Sequence, residues 1–127
     1  MSFSDPFYTS DYFTYQAELL DLESEDPGEH ERGLLQLTRM AGQGNTEVML
    51  LLGRHFVRGR YRDAYLALKW YLEAMRHREQ EGWGMLQRYY RHPDDEDMEQ
   101  AVCRMEAEGY TMDALKQLWQ SMREETL

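Results

Sequence analysis

Apolar residues at helical spacing recur along most of the chain and predict an all-α protein. The clearest pattern lies between Asn45 and Tyr90, where apolar side chains fall three or four residues apart in two successive segments. The first segment carries Val48, Leu51, Leu52 and Phe56, and the second carries Ala64, Ala67, Leu68, Tyr71, Leu72 and Met75. Gly59 separates the two segments, so they predict a pair of amphipathic helices joined as a hairpin.

The remaining segments predict five more helices, which gives about seven in all. The first helix carries a stripe of Phe13, Ala17 and Leu20, and the acidic run before Pro27 and Gly28 ends it. His92-Pro93 separates two later helices, because the residue before proline is disfavoured in a helix. The expected segments are 11–22, 29–41, 81–91, 98–108 and one that starts at Thr111.

The central pattern repeats along the chain with a period of 34 residues. This shift superimposes Val48 on Gly82, Leu52 on Leu86 and Phe56 on Tyr90. A period of this size is typical of stacked helix hairpins, because one hairpin cannot bury its apolar face alone. The sequence therefore predicts a short α-solenoid of antiparallel hairpins, with its clearest repeat at 45–78 and a degenerate repeat at 79–108.

The length and ends of the chain predict one folded domain. The 127 residues are enough for a single core. Residues 1–10 contain Pro6 and several polar residues, so we expect an N-terminal arm, followed by a single domain over 11–127. No basic leader and no apolar run of membrane-spanning length is present. We therefore expect a cytoplasmic protein with no membrane partner.

Charge is distributed unevenly along the sequence. The net charge is −10, which disfavours nucleic acid as a partner. Residues 54–92 nevertheless carry 9 Lys and Arg against 4 Asp and Glu, whereas 1–53 carry 2 against 10 and 93–127 carry 3 against 10. The middle of the chain is basic and both ends are acidic.

No group of residues indicates catalysis or metal binding. The four histidines are scattered over different predicted elements, and Cys103 is the single cysteine. The acids at 94–97 lack the alternating ligands of a calcium loop and are better explained as the first turn of a helix. Apolar neighbours predict a buried or half-buried Cys103 thiol without a catalytic role. We expect a protein that is not an enzyme and has no cofactor.

The central hairpin resembles a Sel-one-like repeat, a relative of the tetratricopeptide repeat. The residues that match this family in order are Val48, Leu52, Gly53, Phe56, Gly59, Ala67, Trp70, Tyr71 and Ala74. The next unit keeps Leu86, Tyr90 and Ala101 but has Gln87 and Arg104 in place of the family's glycine and tryptophan. The resemblance implies a solenoid in which small residues allow close helix packing, while Phe56, Trp70 and Tyr71 fill the space between hairpins.

Large and charged residues that recur on the first helix of each repeat are the candidate binding site. Arg54 and Arg88 are equivalent under the 34-residue shift, as are Met49 and Trp83. Arg58 and Arg91 extend the same side. In stacked hairpins one helix of each pair lines the concave surface, where such residues face a ligand. The alternative is that these arginines are solvated or pair with the acidic ends of the same chain.

The expected function is a non-catalytic adaptor that binds another protein through its concave face. This is what the repeat resemblance implies. The alternative is an inhibitor, for instance an immunity protein that neutralises a cognate and basic bacterial toxin. An acidic chain suits that role, because opposite charge speeds association with a basic active site.

Overall fold

The computed structural model describes residues 10–125, with side chains from residue 16, and it is all-helical in that part. The helices are α1 (Ser10–Leu22), α2 (Pro27–Gly42), α3 (Thr46–Arg58), α4 (Ala64–Arg76), α5 (Gln80–Arg91), α6 (Glu96–Ala107) and α7 (Met112–Glu125). The prediction of seven helices in an all-α fold is confirmed. The expected arm at 1–10 falls almost wholly outside the described residues.

The chain divides into two compact units, Met1–Asn45 and Thr46–Leu127. The boundary coincides with the start of the clearest sequence repeat. The grouping of 11–127 into a single domain stays a prediction. Among the described residues, no helix combines the length and the apolar character needed to cross a membrane.

In the first unit, α1 and α2 pack closely at Gly33. A Cβ at this position would lie 2.8 Å from the backbone nitrogen of Leu22 and 2.9 Å from the carbonyl oxygen of Glu18. The buried His30 ring also lies 2.9 Å from the Leu22 carbonyl oxygen through its Nδ1 atom. Glycine at position 33 therefore allows the backbones of α1 and α2 to approach each other.

The apolar stripe predicted on α1 is not the face that α2 covers. Leu20 is 77% exposed and Ala17 is exposed, whereas Leu22 is buried. Phe13, the third member of the stripe, lies outside the described side chains. The stripe is wrong because the approach of Gly33 places α2 against the side of α1 that carries Glu18 and Leu22.

Helix α2 begins two residues earlier than the sequence predicts. The Asp26 carboxylate accepts a hydrogen bond from the Gly28 backbone N–H at 2.8 Å, and Pro27 occupies the first turn. Proline suits that position, because its fixed φ is helical and its missing N–H would have no partner there. The Pro27-Gly28 pair is therefore the start of a helix rather than part of the break.

The second unit begins with the predicted hairpin of α3 and α4. Gly53 faces the Tyr71 ring, and a Cβ at position 53 would lie 2.8 Å from it. After Gly59 the chain turns, and the Asp63 carboxylate caps α4 by accepting from the Leu66 backbone N–H at 3.1 Å. Of the apolar positions predicted for this hairpin, Leu51 is half-buried, and the buried ones are Val48, Leu52, Phe56, Ala64, Ala67, Leu68, Tyr71, Leu72 and Met75.

Helix α5 packs against α4, and α6 and α7 complete the unit. Asp95 caps α6 and Glu96 and Asp97 lie in its first turn, which confirms the helix-start interpretation of this acidic run. The Thr111 hydroxyl accepts from the Ala114 backbone N–H at 3.1 Å and starts α7 as predicted. The Tyr90 hydroxyl donates to the Tyr110 carbonyl oxygen at 2.7 Å, which ties α5 to the segment between α6 and α7.

Two side chains lie closer to the surface than the sequence predicts. Cys103 is exposed, so the expectation of a buried or half-buried thiol is wrong. Its neighbours Val102 and Met105 are buried, and Cys103 faces outward from the same helix. Trp70 is half-buried, whereas the adjacent Tyr71 is 1% exposed. Consecutive residues of a helix point in different directions, and only Tyr71 points into the core.

Candidate protein-binding surface

Helix α5 contains two glycines whose surroundings are opposite. A Cβ at Gly82 would lie 2.8 Å from the Tyr71 carbonyl oxygen and 2.9 Å from the Met75 backbone nitrogen, so this glycine allows α4 and α5 to approach closely. Gly84 is exposed, and a Cβ there would meet no atom within 4 Å. Packing within the chain explains the first glycine and not the second.

This difference sets Gly84 apart from the other glycines inside the described helices. Gly33, Gly53 and Gly82 each face another part of the chain at 2.8 Å. Gly28 and Gly42 lie at helix ends rather than in a helix interior. An exposed glycine in mid-helix costs about 0.5–1 kcal/mol relative to alanine. No contact made by α5 in the described structure offsets that cost at Gly84.

Charged side chains of α5 surround Gly84. Glu81, Arg88 and Arg91 are exposed, and they lie three, four and seven residues from Gly84. These spacings place all four residues on one side of the helix. On the exposed side of α5, a glycine is therefore flanked by charged side chains.

Helix α3 extends this surface. The Arg54 guanidinium lies 3.9 Å from the Glu81 carboxylate, and both side chains are about half exposed. Arg58 is exposed and follows Arg54 by one helical turn. We call the exposed residues Arg54, Arg58, Glu81, Gly84, Arg88 and Arg91 the Gly84 face.

Arg88 is held in a fixed orientation at the edge of this face. Its two terminal nitrogens donate to the two carboxylate oxygens of Asp94, at 3.1 and 3.3 Å. The guanidinium carbon also lies 4.8 Å from the centroid of the Tyr89 ring. The bidentate hydrogen bond with Asp94 raises the pKa of Arg88 above its usual value. Such a fixed guanidinium loses less entropy when it binds than a mobile one.

Tyr71 lies in the core beneath the α3 and α5 side of the unit. Its ring stacks on Tyr89 with 6.3 Å between centroids, and its hydroxyl is buried without a hydrogen-bond partner among the described atoms. Burial raises the pKa of this hydroxyl to about 12, with a smaller effect from Tyr89. A phenol with such a pKa is protonated at neutral pH.

The structure separates the six residues predicted to bind a partner into two groups. Arg54, Arg58, Arg88 and Arg91 are exposed on α3 and α5. Met49 is 1% exposed, and Trp83 is 9% exposed and stacks on Trp119 with 6.1 Å between ring centroids. Met49 and Trp83 therefore offer almost no surface to a partner in this conformation. Their burial has a physical cause, since α3 is covered on most of its circumference and α7 covers Trp83.

The alternative interpretation, in which these arginines pair with acidic residues of the same chain, describes two of the four. Arg88 pairs with Asp94 of the acidic segment, and Arg54 pairs with Glu81 of the same basic region. No ion pair joins Arg58 or Arg91 to another residue in the described part of the chain.

The sequence analysis missed Gly84, although two glycines in the helical stretch E-G-W-G-M are a visible signal.

A second group of exposed polar side chains, on and next to α4 and α6, makes contacts within the chain. The Tyr65 hydroxyl donates to the Glu108 carboxylate at 2.8 Å, and the Arg104 guanidinium lies 3.7 Å from the Tyr65 ring centroid. Arg62 pairs with Asp95 at 2.8 Å. These groups satisfy one another within the chain, as Arg54 with Glu81 and Arg88 with Asp94 do on the Gly84 face.

The described residues contain no group of three or more His, Cys, Asp and Glu side chains that could hold a metal ion. No protein-family model, curated protein or solved structure matches the chain. The functional argument therefore depends on the geometry of the chain itself.

Proposed function

We propose that this chain is a non-catalytic protein-interaction module that binds a segment of another protein on the Gly84 face. The observation that carries the proposal is Gly84 itself. A Cβ at this position would have no described atom within 4 Å, yet glycine lowers the stability of α5. A partner that packs directly on the helix backbone would explain why no side chain is present.

The arginines around Gly84 support a protein partner. Arginine is among the residues that most often anchor protein interfaces, because its planar guanidinium both stacks and donates several hydrogen bonds. Arg88 and Arg91 are exposed on the same side of α5 as Gly84, and Arg54 and Arg58 are exposed on α3, which the Arg54–Glu81 ion pair links to α5. A backbone that approaches Gly84 would come within reach of these donors.

The proposal includes the architecture that the resemblance to Sel-one-like repeats implies. In this view α3 and α4 form one hairpin, α5 and α6 form a degenerate one, and α7 is a terminal helix. The inner surface of the stack would then be lined by α3, α5 and α7, with Gly84 at its centre. The chain would act as an adaptor, and the solenoid and family assignments are part of the proposal.

A site-specific cross-link tests this assignment. Cys103 is exposed and would react with thiol reagents, so the experiment uses a Cys103→Ser background. A photo-reactive maleimide is placed on Gly84→Cys and, as a matched control, on Gly42→Cys, a second exposed glycine with no atom within 4 Å. In extracts of the source cells we expect an adduct of one defined mass from position 84 and none from position 42. Equal labelling from both positions would contradict the proposal.

Once the partner is identified, an alanine substitution separates binding from folding. Gly84→Ala should raise the free energy of unfolding by about 0.5–1 kcal/mol and should weaken the complex. Gly42→Ala adds the same methyl group elsewhere and should leave the complex unchanged. A complex that tolerates Gly84→Ala would show that the partner does not approach α5 closely.

A second candidate function is inhibition of a basic protein, such as a toxin, by the acidic first unit. Residues 1–45 carry 2 Lys and Arg against 9 Asp and Glu, and Glu23, Glu25, Asp26 and Glu31 are exposed. Association driven by such charges slows as the screening length falls from about 10 Å at 0.1 M salt to about 3 Å at 1 M. A steep fall of the association rate over this range favours the inhibitor. A nearly constant rate together with sensitivity to Gly84→Ala favours the adaptor.

A further inference from the structure

Three helices of the chain end in the same hydrogen-bonded turn, and only one of these turns lacks glycine. After α2, α4 and α6, the left-handed position is occupied by Gly44, Arg78 and Gly109, with φ of 96°, 64° and 100°. Arg78 is the only non-glycine residue with positive φ in the described part of the chain. This conformation strains a side chain with a Cβ, so glycine is the usual residue.

The turn at Arg78 has the same hydrogen bonds as the other two. The Arg78 backbone N–H donates to the Met75 carbonyl at 2.9 Å, and the Glu79 N–H donates to the Ala74 carbonyl at 3.0 Å. In the Gly44 turn the two corresponding hydrogen bonds measure 2.9 and 3.3 Å. In the Gly109 turn they measure 3.0 and 2.9 Å. Gly44 lies 34 residues before Arg78, which is one repeat period. An arginine therefore stands where the same turn elsewhere has glycine, and the turn itself does not require its side chain.

The Arg78 side chain lines a cavity of about 220 Å³ between α5 and α7. The other lining residues are Gln80, Trp119, Met122 and Arg123. Trp119 is half-buried, and Trp83 stacks on it with the two rings 23° from parallel, which fixes the orientation of the indole. The cavity thus combines an aromatic wall with two guanidiniums.

A carboxylate of the chain already lies at the Arg78 guanidinium. Glu125, near the end of α7, accepts from Arg78 at 3.3 Å. The two side chains are 54% and 68% exposed, and an ion pair of that exposure contributes little to stability. The pair is therefore a weak reason to place arginine in a strained turn. It does show that a carboxylate can reach this guanidinium.

We propose that this cavity binds a small aromatic carboxylate. The ring would lie against Trp119, and the carboxylate would replace that of Glu125 at Arg78. A cavity of about 150 Å³ holds benzene, so the present volume is sufficient for one ring with its acid group. The planar guanidinium of arginine matches a carboxylate through paired hydrogen bonds. This site does not depend on the Gly84 face or on the proposed function.

Benzoate is the probe, followed through the Trp119 indole N–H signal in a nuclear magnetic resonance titration of the full chain. Benzyl alcohol supplies the ring without charge, and acetate supplies the charge without a ring. We expect benzoate to bind at least about fivefold more tightly than either control, because each alternative loses one of the two contacts. If benzoate binds no more tightly than benzyl alcohol or acetate, the proposed site is wrong.

Two variants separate binding from a structural role of Arg78. Arg78→Gly removes the strain, so the melting temperature should stay the same or rise, while benzoate affinity should fall about fivefold to tenfold. Glu125→Gln removes the competing carboxylate and should increase benzoate affinity. Arg76 is an exposed arginine that does not line the cavity and that donates to the Tyr110 hydroxyl at 2.9 Å, so Arg76→Gln should leave benzoate affinity unchanged. A lower melting temperature for Arg78→Gly with unchanged affinity would show that Arg78 only ties α7 to the turn, and would overturn the proposal.

Discussion

The Tyr71 hydroxyl combines complete burial with the absence of a hydrogen-bond partner in the described structure. A buried polar group without a partner loses its hydration and gains nothing in return, which costs about 1–3 kcal/mol. The ring itself packs against other parts of the core, since it contacts Gly53 and stacks on Tyr89. The stabilising part of Tyr71 is therefore its ring and not its oxygen.

Tyr71→Phe should consequently leave the free energy of unfolding unchanged or raise it by up to about 1 kcal/mol. The pKa of Tyr71 rises to about 12 in the folded chain, so the folded state retains the proton longer than the unfolded state. The associated stability is present below pH 10 and is lost as the pH rises from there towards 12. Urea denaturation at pH 7 and at intervals above pH 9 measures both effects. A loss of more than about 1 kcal/mol at pH 7 would reveal a partner for the hydroxyl.

At the scale of single residues, the sequence predicts which positions are apolar better than it predicts how deeply they are buried. The four arginines are exposed on α3 and α5 as expected, but Met49 and Trp83 are buried. The repeat register determines the angular position of a residue on its helix. Burial also depends on neighbours outside the register, such as Trp119 above Trp83. Cys103 is exposed for the related reason that one helix presents different faces to core and solvent.

At the scale of helices, alanine substitutions of the two glycines in α5 should change the free energy of unfolding in opposite directions. Gly82→Ala forces a methyl group into backbone atoms of α4 at 2.8–2.9 Å and should destabilise the chain by about 2 kcal/mol or more. Gly84→Ala meets open space and should stabilise it by about 0.5–1 kcal/mol. Chemical denaturation of the two variants measures the difference. Similar effects of both substitutions would mean that α4 and α5 are not as close as the structure places them.

The start of α6 should respond to acid. The Asp95 carboxylate accepts from the Arg62 guanidinium at 2.9 Å and from the Met98 backbone N–H at 3.0 Å. These contacts, Arg62 first, lower the pKa of Asp95. A lowered pKa stabilises the fold fully at pH values above the usual aspartate pKa, and this stabilisation is lost as the pH falls below that value and through the lowered pKa of the folded chain.

Asp95→Asn keeps an oxygen that can cap α6 but removes the charge. We expect a lower melting temperature at pH 7 and a smaller difference between wild type and variant at pH 3, because the aspartate of the unfolded wild-type chain gains its proton as the pH falls below the usual pKa, which favours the unfolded state. Calorimetry at a series of pH values measures this. Asp113→Asn is the control, since Asp113 is an exposed acid in the first turn of α7. A constant difference from pH 7 to pH 3 would contradict a role for the charge.

Helix boundaries follow the sequence closely, and the exceptions have local causes. Each predicted helix exists, and the ends agree to within a few residues because caps and prolines mark them. The turn after α4 could be located but not its conformation, since Arg78 gives no signal for positive φ. The stripe on α1 failed because the position of α2 depends on Gly33, a residue distant in sequence.

At the scale of the whole molecule, the two compact units predict different behaviour of fragments. A fragment of residues 46–127 contains five helices and should fold cooperatively by itself. A fragment of residues 1–45 contains two described helices, too little to bury a stable core, and should be mostly unfolded. Circular dichroism with urea titration distinguishes the two. A 46–127 fragment without a cooperative transition would support the single domain predicted for 11–127.

The three equivalent turns at Gly44, Arg78 and Gly109 end every second helix of the chain from α2 to α6. They lie 34 and 31 residues apart, so turns of one conformation end α2, α4 and α6 at nearly regular intervals. Left-handed turns end helices regardless of what the helices carry. Duplication or loss of a segment between two such turns would keep every helix boundary intact. Such a change would lengthen or shorten the chain by one whole pair of helices, α3 with α4 or α5 with α6.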